Sequence, residues 1–201
     1  VSLKHSYTFI APIYDAMVSG ATSSWRGKSL QRLKGAEGET VLIPGIGTGL
    51  DIQHLPLGPL YTGVDLTPAM LKKAQQRAEA SEHPIELHQG DAMDLPFDDN
   101  HFDHVVMHLI LAVVPEPYRA LQEAGRVLKP GGSLLILDKF LKPGQVAPLR
   151  RLINPFISRV ATRTDVVFEE LLAQCPDLDS VEDHPTIPGG WFRYITLEKR
   201  D

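Results

Sequence analysis

The chain has 201 residues, 43% of them hydrophobic, which is enough to bury a sizeable core in one domain without metals or disulfides. Its net charge of −5, from 20 Lys plus Arg against 25 Asp plus Glu, argues against nucleic acid as a partner. The lone Cys175 excludes an internal disulfide, and no apolar run approaches the length of a membrane span or the core of a signal peptide, so a cytoplasmic location is expected.

In chain order, Tyr7, Ile10, Ile13, Tyr14, Met17 and Val18 mark helical or turn-broken segments with one buried face, interrupted by Pro12. β-rich apolar runs then predict strands near 40–44, 60–65, 85–89, 103–109 and 133–139. Between the second and third, Thr67-Pro68 reads as an N-cap followed by an N1 proline, opening a helix to about Ala80; another helix is expected over Pro117–Val127. Alternation of this kind builds a doubly wound α/β sheet, mostly parallel, with helices on both faces. A helix pair near 145–161 and 166–174 follows. Cys175 reads there as a small helix-end hydrophobe. Two β segments near 180–185 and 191–198, joined by the turn Pro185-Thr-Ile-Pro-Gly-Gly190, complete seven strands with an antiparallel last one. The expected layout is a single 1–201 domain: N-terminal lid helices (1–36), a core (37–140), and helices with a hairpin on the substrate side (141–201).

The first strand breaks into Gly45-Ile-Gly-Thr-Gly49, and the second ends in Asp65, sixteen residues after the last of these glycines. Glycines permit a sharp turn and a close approach of backbone to ligand, while a carboxylate at the next strand end can accept the hydrogen bonds of a ribose diol. A dinucleotide site would want Gly-x-Gly-x-x-Gly facing a pyrophosphate. Here the third glycine comes one residue early and Asp51 would repel a phosphate, so the nucleotide expected is not a diphosphate.

With Gly90-Asp-Ala-Met-Asp-Leu-Pro-Phe97, Phe102-Asp-His-Val-Val106 and Arg126-Val-Leu-Lys-Pro-Gly-Gly132 following in register, residues 38–140 resemble the class I S-adenosylmethionine-dependent methyltransferases of the Rossmann-like, type 11 kind. The resemblance implies S-adenosylmethionine as cofactor and no metal. It also implies that Gly45, Gly47 and Gly49 line the methionine end and Asp65 holds the ribose. Leu66 would lie on the adenine, Asp91 would receive its exocyclic amine, and the Ala92 amide would reach a ring nitrogen. Met70 and Met107 join the expected cofactor contacts, and Lys129-Pro-Gly-Gly132 becomes a structural turn. Tyr7 and Tyr14, in a segment similar to the family's lid, would touch cofactor or acceptor, the alternative being that they only pack the lid. The family carries an acid two residues before the first glycine, where this chain has Ile43, followed by Pro44; either backbone carbonyls and water satisfy the cofactor's ammonium, or cofactor binding is weaker.

Methyl transfer from a sulfonium is an in-line displacement, so alignment dominates, and some acceptors also need a base. Residues closing the fourth and fifth strands are the candidates: His108 as base or orienter, with Asp138 and Tyr14 as further catalytic candidates. The competing reading of His108 is a strand-end histidine packed beneath the helix from Pro117.

From Lys139 to Thr164 there are six basic residues and no acidic one, and apolar residues repeat at helical spacing over 145–163. That pattern suits peripheral contact with an anionic membrane on the inner face, or a solvated basic face on an ordinary helix. Ala11-Pro-x-Tyr-Asp15, Val113-Val-Pro-Glu-Pro117 and Arg163-Thr-Asp165 resemble bacterial phosphatidylethanolamine N-methyltransferases. That resemblance implies transfer to an amine of a small molecule or lipid headgroup. The alternatives are a thiol, a quinone or natural-product hydroxyl, or a pseudo-enzyme that binds cofactor without turnover.

Overall fold

A computed structural model describes residues 20, 22–141, 166–187 and 190–201. Helix α1 covers 22–30. Strand β1 (Thr40–Pro44) leads through the glycine loop and a 3-10 turn (Ile52–His54) to β2 (Leu60–Asp65), α2 (Pro68–Glu79), β3 (Ile85–Gln89) and β4 (Phe102–His108). Then come α3 (Pro117–Val127), β5 (Leu128–Lys139), a short α4 (Phe168–Leu172), β6 (Leu178–Pro185) and β7 (Phe192–Lys199). One seven-stranded sheet has the order β3-β2-β1-β4-β5-β7-β6; β1 to β5 are parallel, and β7 runs antiparallel to both β5 and β6.

The central strands β1, β4 and β5 are largely apolar on both faces because both faces are covered. Leu42, Val105, Met107, Leu134 and Ile136 point to one side and pack with Ala120, Leu121 and Ala124 of α3 and with Phe168 of α4. Val41, Ile43, Tyr61, Val106 and Leu135 point to the other, against Leu30 of α1 and Ala74 of α2. The expected turn Lys129-Pro-Gly-Gly132 lies inside β5, as an irregularity where pairing jumps from Phe102↔Leu128 to His104↔Ser133. Only glycine fits at its end, since a Cβ on Gly132 would lie 2.7 Å from the Asp103 carbonyl oxygen. The helix expected over 145–161 lies outside the described residues, as do Tyr7 and Tyr14. Cys175 is buried behind α4, and desolvation pushes its thiol up to about 11, consistent with a packing role.

Strand order reverses direction between β1 and β4, and in open α/β sheets ligands bind at the carboxyl ends beside such a point.

Candidate cofactor site

A cavity of about 370 Å³ opens there, lined by the loops that leave β1, β2, β3 and β4. Its floor is the glycine loop, where Gly45, Gly47 and Gly49 all have positive φ. The loop is tied down from several directions. The Gly45 and Ile46 amides donate to the Val64 carbonyl at 2.7 and 3.0 Å, and Arg77 of α2 donates to the Thr48 carbonyl. Gly49 serves packing: a Cβ there would meet Ile52 Cδ1 at 2.7 Å and the Ala74 backbone at 3.1 Å.

Asp65, at the end of β2, lines the cavity. Its Oδ2 accepts from the Gly47 amide at 3.0 Å and its Oδ1 from the Thr67 amide at 2.8 Å, so the carboxylate braces the glycine loop against the start of α2. Burial raises its pKa, and those two amides oppose the rise. Each oxygen keeps acceptor capacity for a hydroxyl. Asp91 Oδ1 accepts from the Met93 amide at 2.9 Å, which folds the loop after β3 along the cavity with Ala92 on its wall. Arg126 and Glu123 of α3 anchor the next residues: Glu123 accepts from the Leu95 amide at 2.8 Å, and Arg126 donates to the Leu95 and Phe97 carbonyls. Leu66, Met70, Leu109, Ile110, Val113, Val114 and Pro115 supply apolar surface. Leu109 adopts φ +59, a costly conformation for a bulky side chain, immediately after β4.

Of the residues expected from sequence, Gly45, Gly47, Asp65, Leu66, Met70, Asp91 and Ala92 border this cavity, and Gly49, Met107, His108 and Asp138 do not. Met107 is fully buried among α3 and β5 side chains, because its strand position points into the sheet face rather than off the strand end. Asp138 is 1% exposed; its oxygens accept from the Ala112 amide at 3.1 Å and the Lys139 amide at 2.8 Å, and burial pushes its carboxyl up to about 6 against those bonds. It holds the 109–115 loop from behind instead of meeting an acceptor.

His108 is also enclosed, and its partners are not those of α3. Nδ1 is 2.7 Å from Asp51 Oδ1 and Nε2 is 2.9 Å from Ser29 Oγ. Asp51 Oδ2 accepts from Arg26 at 2.7 Å. Burial would raise the Asp51 carboxyl, but the charges of Arg26 and His108 and their hydrogen bonds hold it well below the usual carboxylate range. Asp51 therefore turns away from the cavity with its charge balanced, and repulsion by Asp51 gives no reason to exclude a phosphate from the site. Arg26 and Ser29 were not singled out in the sequence, and Asp51 only as a charge that would repel a phosphate. The available signal was the spacing of buried positions 22, 26, 29 and 33, a helical stripe of polar as well as apolar residues.

Among the described residues no group of three or more His, Cys, Asp or Glu could hold a metal, and no helix is long and apolar enough to cross a membrane.

A parallel sheet with a glycine loop after β1 and a carboxylate closing β2 defines a nucleotide-cofactor protein. Residues 42–136 match the family described as "Methyltransferase domain". The chain is 33% identical over 191 residues to a phosphatidylethanolamine N-methyltransferase of Cereibacter sphaeroides, covering 94% of this chain and 93% of that one. It is 36% identical over 147 residues to a demethylmenaquinone methyltransferase of Desulfitobacterium hafniense, covering 68% of this chain and 58% of that one. The solved structure of the [4+2]-cyclase SpnF superposes with a TM-score of 0.78 at 18% identity over 98% of this chain and 94% of that one, a likeness of fold. The chain belongs to the S-adenosylmethionine-dependent methyltransferases, and S-adenosylmethionine is its cofactor. The side chains fit that group: an open carboxylate at Asp65, a loop at Gly47 whose Cβ position faces nothing nearer than 3.9 Å, and the half-exposed apolar Leu66 beside it.

Proposed function

We propose that the acceptor is an amine, carried on a lipid headgroup or a small molecule with an apolar portion. The supporting observation is the similarity to the phosphatidylethanolamine enzyme, which runs along nearly the whole chain, whereas the demethylmenaquinone relative aligns with 68% of it. The acceptor-side segments, outside 42–136, are thus included in the first likeness. The aliphatic wall of Ile110, Val113, Val114 and Pro115 suits alkyl chain beside the reacting atom.

In this reading Gly45 and Gly47 border the methionine moiety, Asp65 accepts from the ribose hydroxyls, Leu66 and Met70 flank the adenine, and Asp91 with the Ala92 amide meets its edge. Residues 37–140 form the cofactor-binding core, within a single domain. When bound, the cofactor supplies an electrophilic methyl on a sulfonium. The protein's task is alignment and exclusion of water, which the packed loops after β1 and β4 supply. Peripheral contact with an anionic membrane through 145–163 belongs to the same proposal.

The test offers methyl-labelled S-adenosylmethionine together with phosphatidylethanolamine vesicles containing anionic lipid, water-soluble amines, thiols, and a demethylmenaquinol-type quinol. Label in the amine headgroup, with the protein sedimenting with the vesicles at low salt, is expected. Label only in the quinol would overturn the amine reading in favour of the one suggested by the second relative. Cofactor binding without transfer to any acceptor would mark a pseudo-enzyme.

A further inference from the structure

Arg26, Ser29, Asp51 and His108 are each at most 6% exposed, and they come from α1, the exit of the glycine loop and the last residue of β4. Burying this much polarity costs stability unless every group is paired, and here the pairing is complete around the carboxylate. Arg26 Nε also donates to Thr22 Oγ1 at 3.2 Å within α1. One turn away, Ser23 Oγ meets His54 Nε2 at 3.0 Å, and Gly27 lets the helix approach, since a Cβ there would lie 3.3 Å from His54 Nδ1. A single face of α1 thus presents Ser23 and Arg26 to the segment that follows the glycine loop and Ser29, three residues beyond Arg26, to His108 at the end of β4.

The order Ser29, His108, Asp51 has the hydrogen-bond pattern of a hydrolytic triad. Ser29 is 2% exposed, however, and neither it nor His108 lines the cofactor cavity, so the hydroxyl is not presented to that site. The arrangement has another use. The glycine loop has three residues at positive φ; Ile46 anchors its middle in the core, but the glycines themselves offer no side chains, so the loop's shape also depends on what grips it from outside. Val64 and Asp65 grip its start; Asp51 fixes its exit, and Asp51 is gripped by α1 and β4.

We propose that Asp51, clamped between Arg26 and His108, is a positioning residue that couples the docking of α1 to cofactor affinity, although no residue of α1 lines the cavity. Coupling of this kind is reciprocal: the cofactor holds α1 down as firmly as α1 holds the loop in shape. The segment before α1 carries Tyr7 and Tyr14, so docking of α1 also fixes where the preceding chain departs.

The wild-type protein provides a test that needs no substitution. Adding S-adenosylmethionine should slow amide hydrogen exchange across 22–30 as well as 45–51. Calorimetric titration with S-adenosylmethionine then examines the clamp. Asp51→Asn and Arg26→Gln should each weaken binding tenfold or more, because each leaves its partner buried and uncompensated. The double variant, which removes both charges, should recover most of the affinity. Ser29→Ala, the mildest change, should weaken binding two- to threefold and keeps the test available if the charge variants do not fold. Variants that melt earlier yet bind the cofactor with wild-type affinity would reduce the clamp to packing and overturn the proposal. So would a loss with Asp51→Asn that Arg26→Gln neither mimics nor rescues, or a cofactor that leaves exchange in 22–30 unchanged. None of these readouts depends on the acceptor, so failure of the amine reading leaves the inference standing.

Discussion

The carboxyl ends of β2 and β3 turn their polar groups toward the cavity, whereas the ends of β4 and β5 fold theirs inward. Asp65 and Asp91 border the site and spend part of their acceptor capacity on loop amides. His108 and Asp138, on the far side of β1 in the sheet, are buried and hydrogen-bonded to α1 and to neighbouring loops. Strand-end position is therefore insufficient to assign a polar residue to ligand. What decides is whether neighbouring segments leave the strand end open, as after β2, or close on it, as Ser29 of α1 and Asp51 do on His108 and the 109–115 segment does on Asp138.

The largest expected effects divide along this line. Asp65→Ala should cost about 2–4 kcal/mol of cofactor binding, roughly 30- to 1000-fold, with a smaller loss of stability, because the Gly47 and Thr67 amides it strips border the open cavity, where water can replace the carboxylate. Asp138→Ala should do the opposite. It strips the acceptor from the Ala112 and Lys139 amides, costing about 1–3 kcal/mol of stability for each buried donor, while cofactor affinity stays within a few fold. Calorimetry and denaturant unfolding on both variants check the pair. Comparable losses of affinity in the two would remove the distinction between the strand ends.

How much was legible in the sequence follows the same division. The sheet, its strands to within a few residues and its antiparallel final strand were readable, because alternating apolar runs and helix-start signals are local. The glycine loop was readable for the same reason: Gly45 to Gly49 directly follow β1 and Asp65 closes β2, its hydrogen-bonded neighbour, so each is marked by a local pattern. Met107, His108 and Asp138 stand at strand ends, and no local pattern says that Met107 packs against α3, that Ser29 of α1 and Asp51 enclose His108, or that the Ala112 amide engages Asp138. The Arg26, Asp51 and His108 cluster joins residues 25 and 57 positions apart, and that separation hides it from any reading by motif.

Two buried carboxylates of opposite electrostatic character sharpen the comparison through pH. Burial raises Asp138 from an ordinary 3.8 to about 6, so the folded state binds its proton more readily than the unfolded chain. Its effect on stability becomes less favourable as pH rises from about 4 to 6, by at most about 3 kcal/mol. Asp51 is lowered instead, so its contribution is present above the ordinary carboxylate value and is lost only as pH falls through its folded value. His54, lowered by burial, opposes Asp138 near neutrality, since its contribution diminishes as pH falls below the ordinary histidine value. The difference between wild type and Asp138→Asn isolates the first of these. Measured from pH 4 to 7 by denaturant unfolding, the wild type should lose ground to the variant as pH rises. A difference that stays flat would mean that Asp138 keeps its charge at little cost, and the contrast with the open carboxylate at Asp65 would weaken.

The smallest effect tests the open side without any charge. Leu66 is 40% exposed on the cavity wall, directly after Asp65, where the proposed adenine contact would cover it. Truncation to Ala removes apolar area that only the ligand buries, which at about 25 cal/mol per Å² amounts to about 1 kcal/mol, or roughly fivefold in affinity. Because that surface is solvated in the free protein, the fold should lose almost nothing, and the loss should be insensitive to salt. Binding of apolar surface also carries a negative heat-capacity change, so Leu66→Ala should make that quantity smaller in magnitude, and Leu66→Phe should preserve it. Titrations of S-adenosylmethionine at several temperatures measure both. Unchanged affinity and heat capacity in Leu66→Ala would move the adenine off this wall, toward Met93 and the loop after β3.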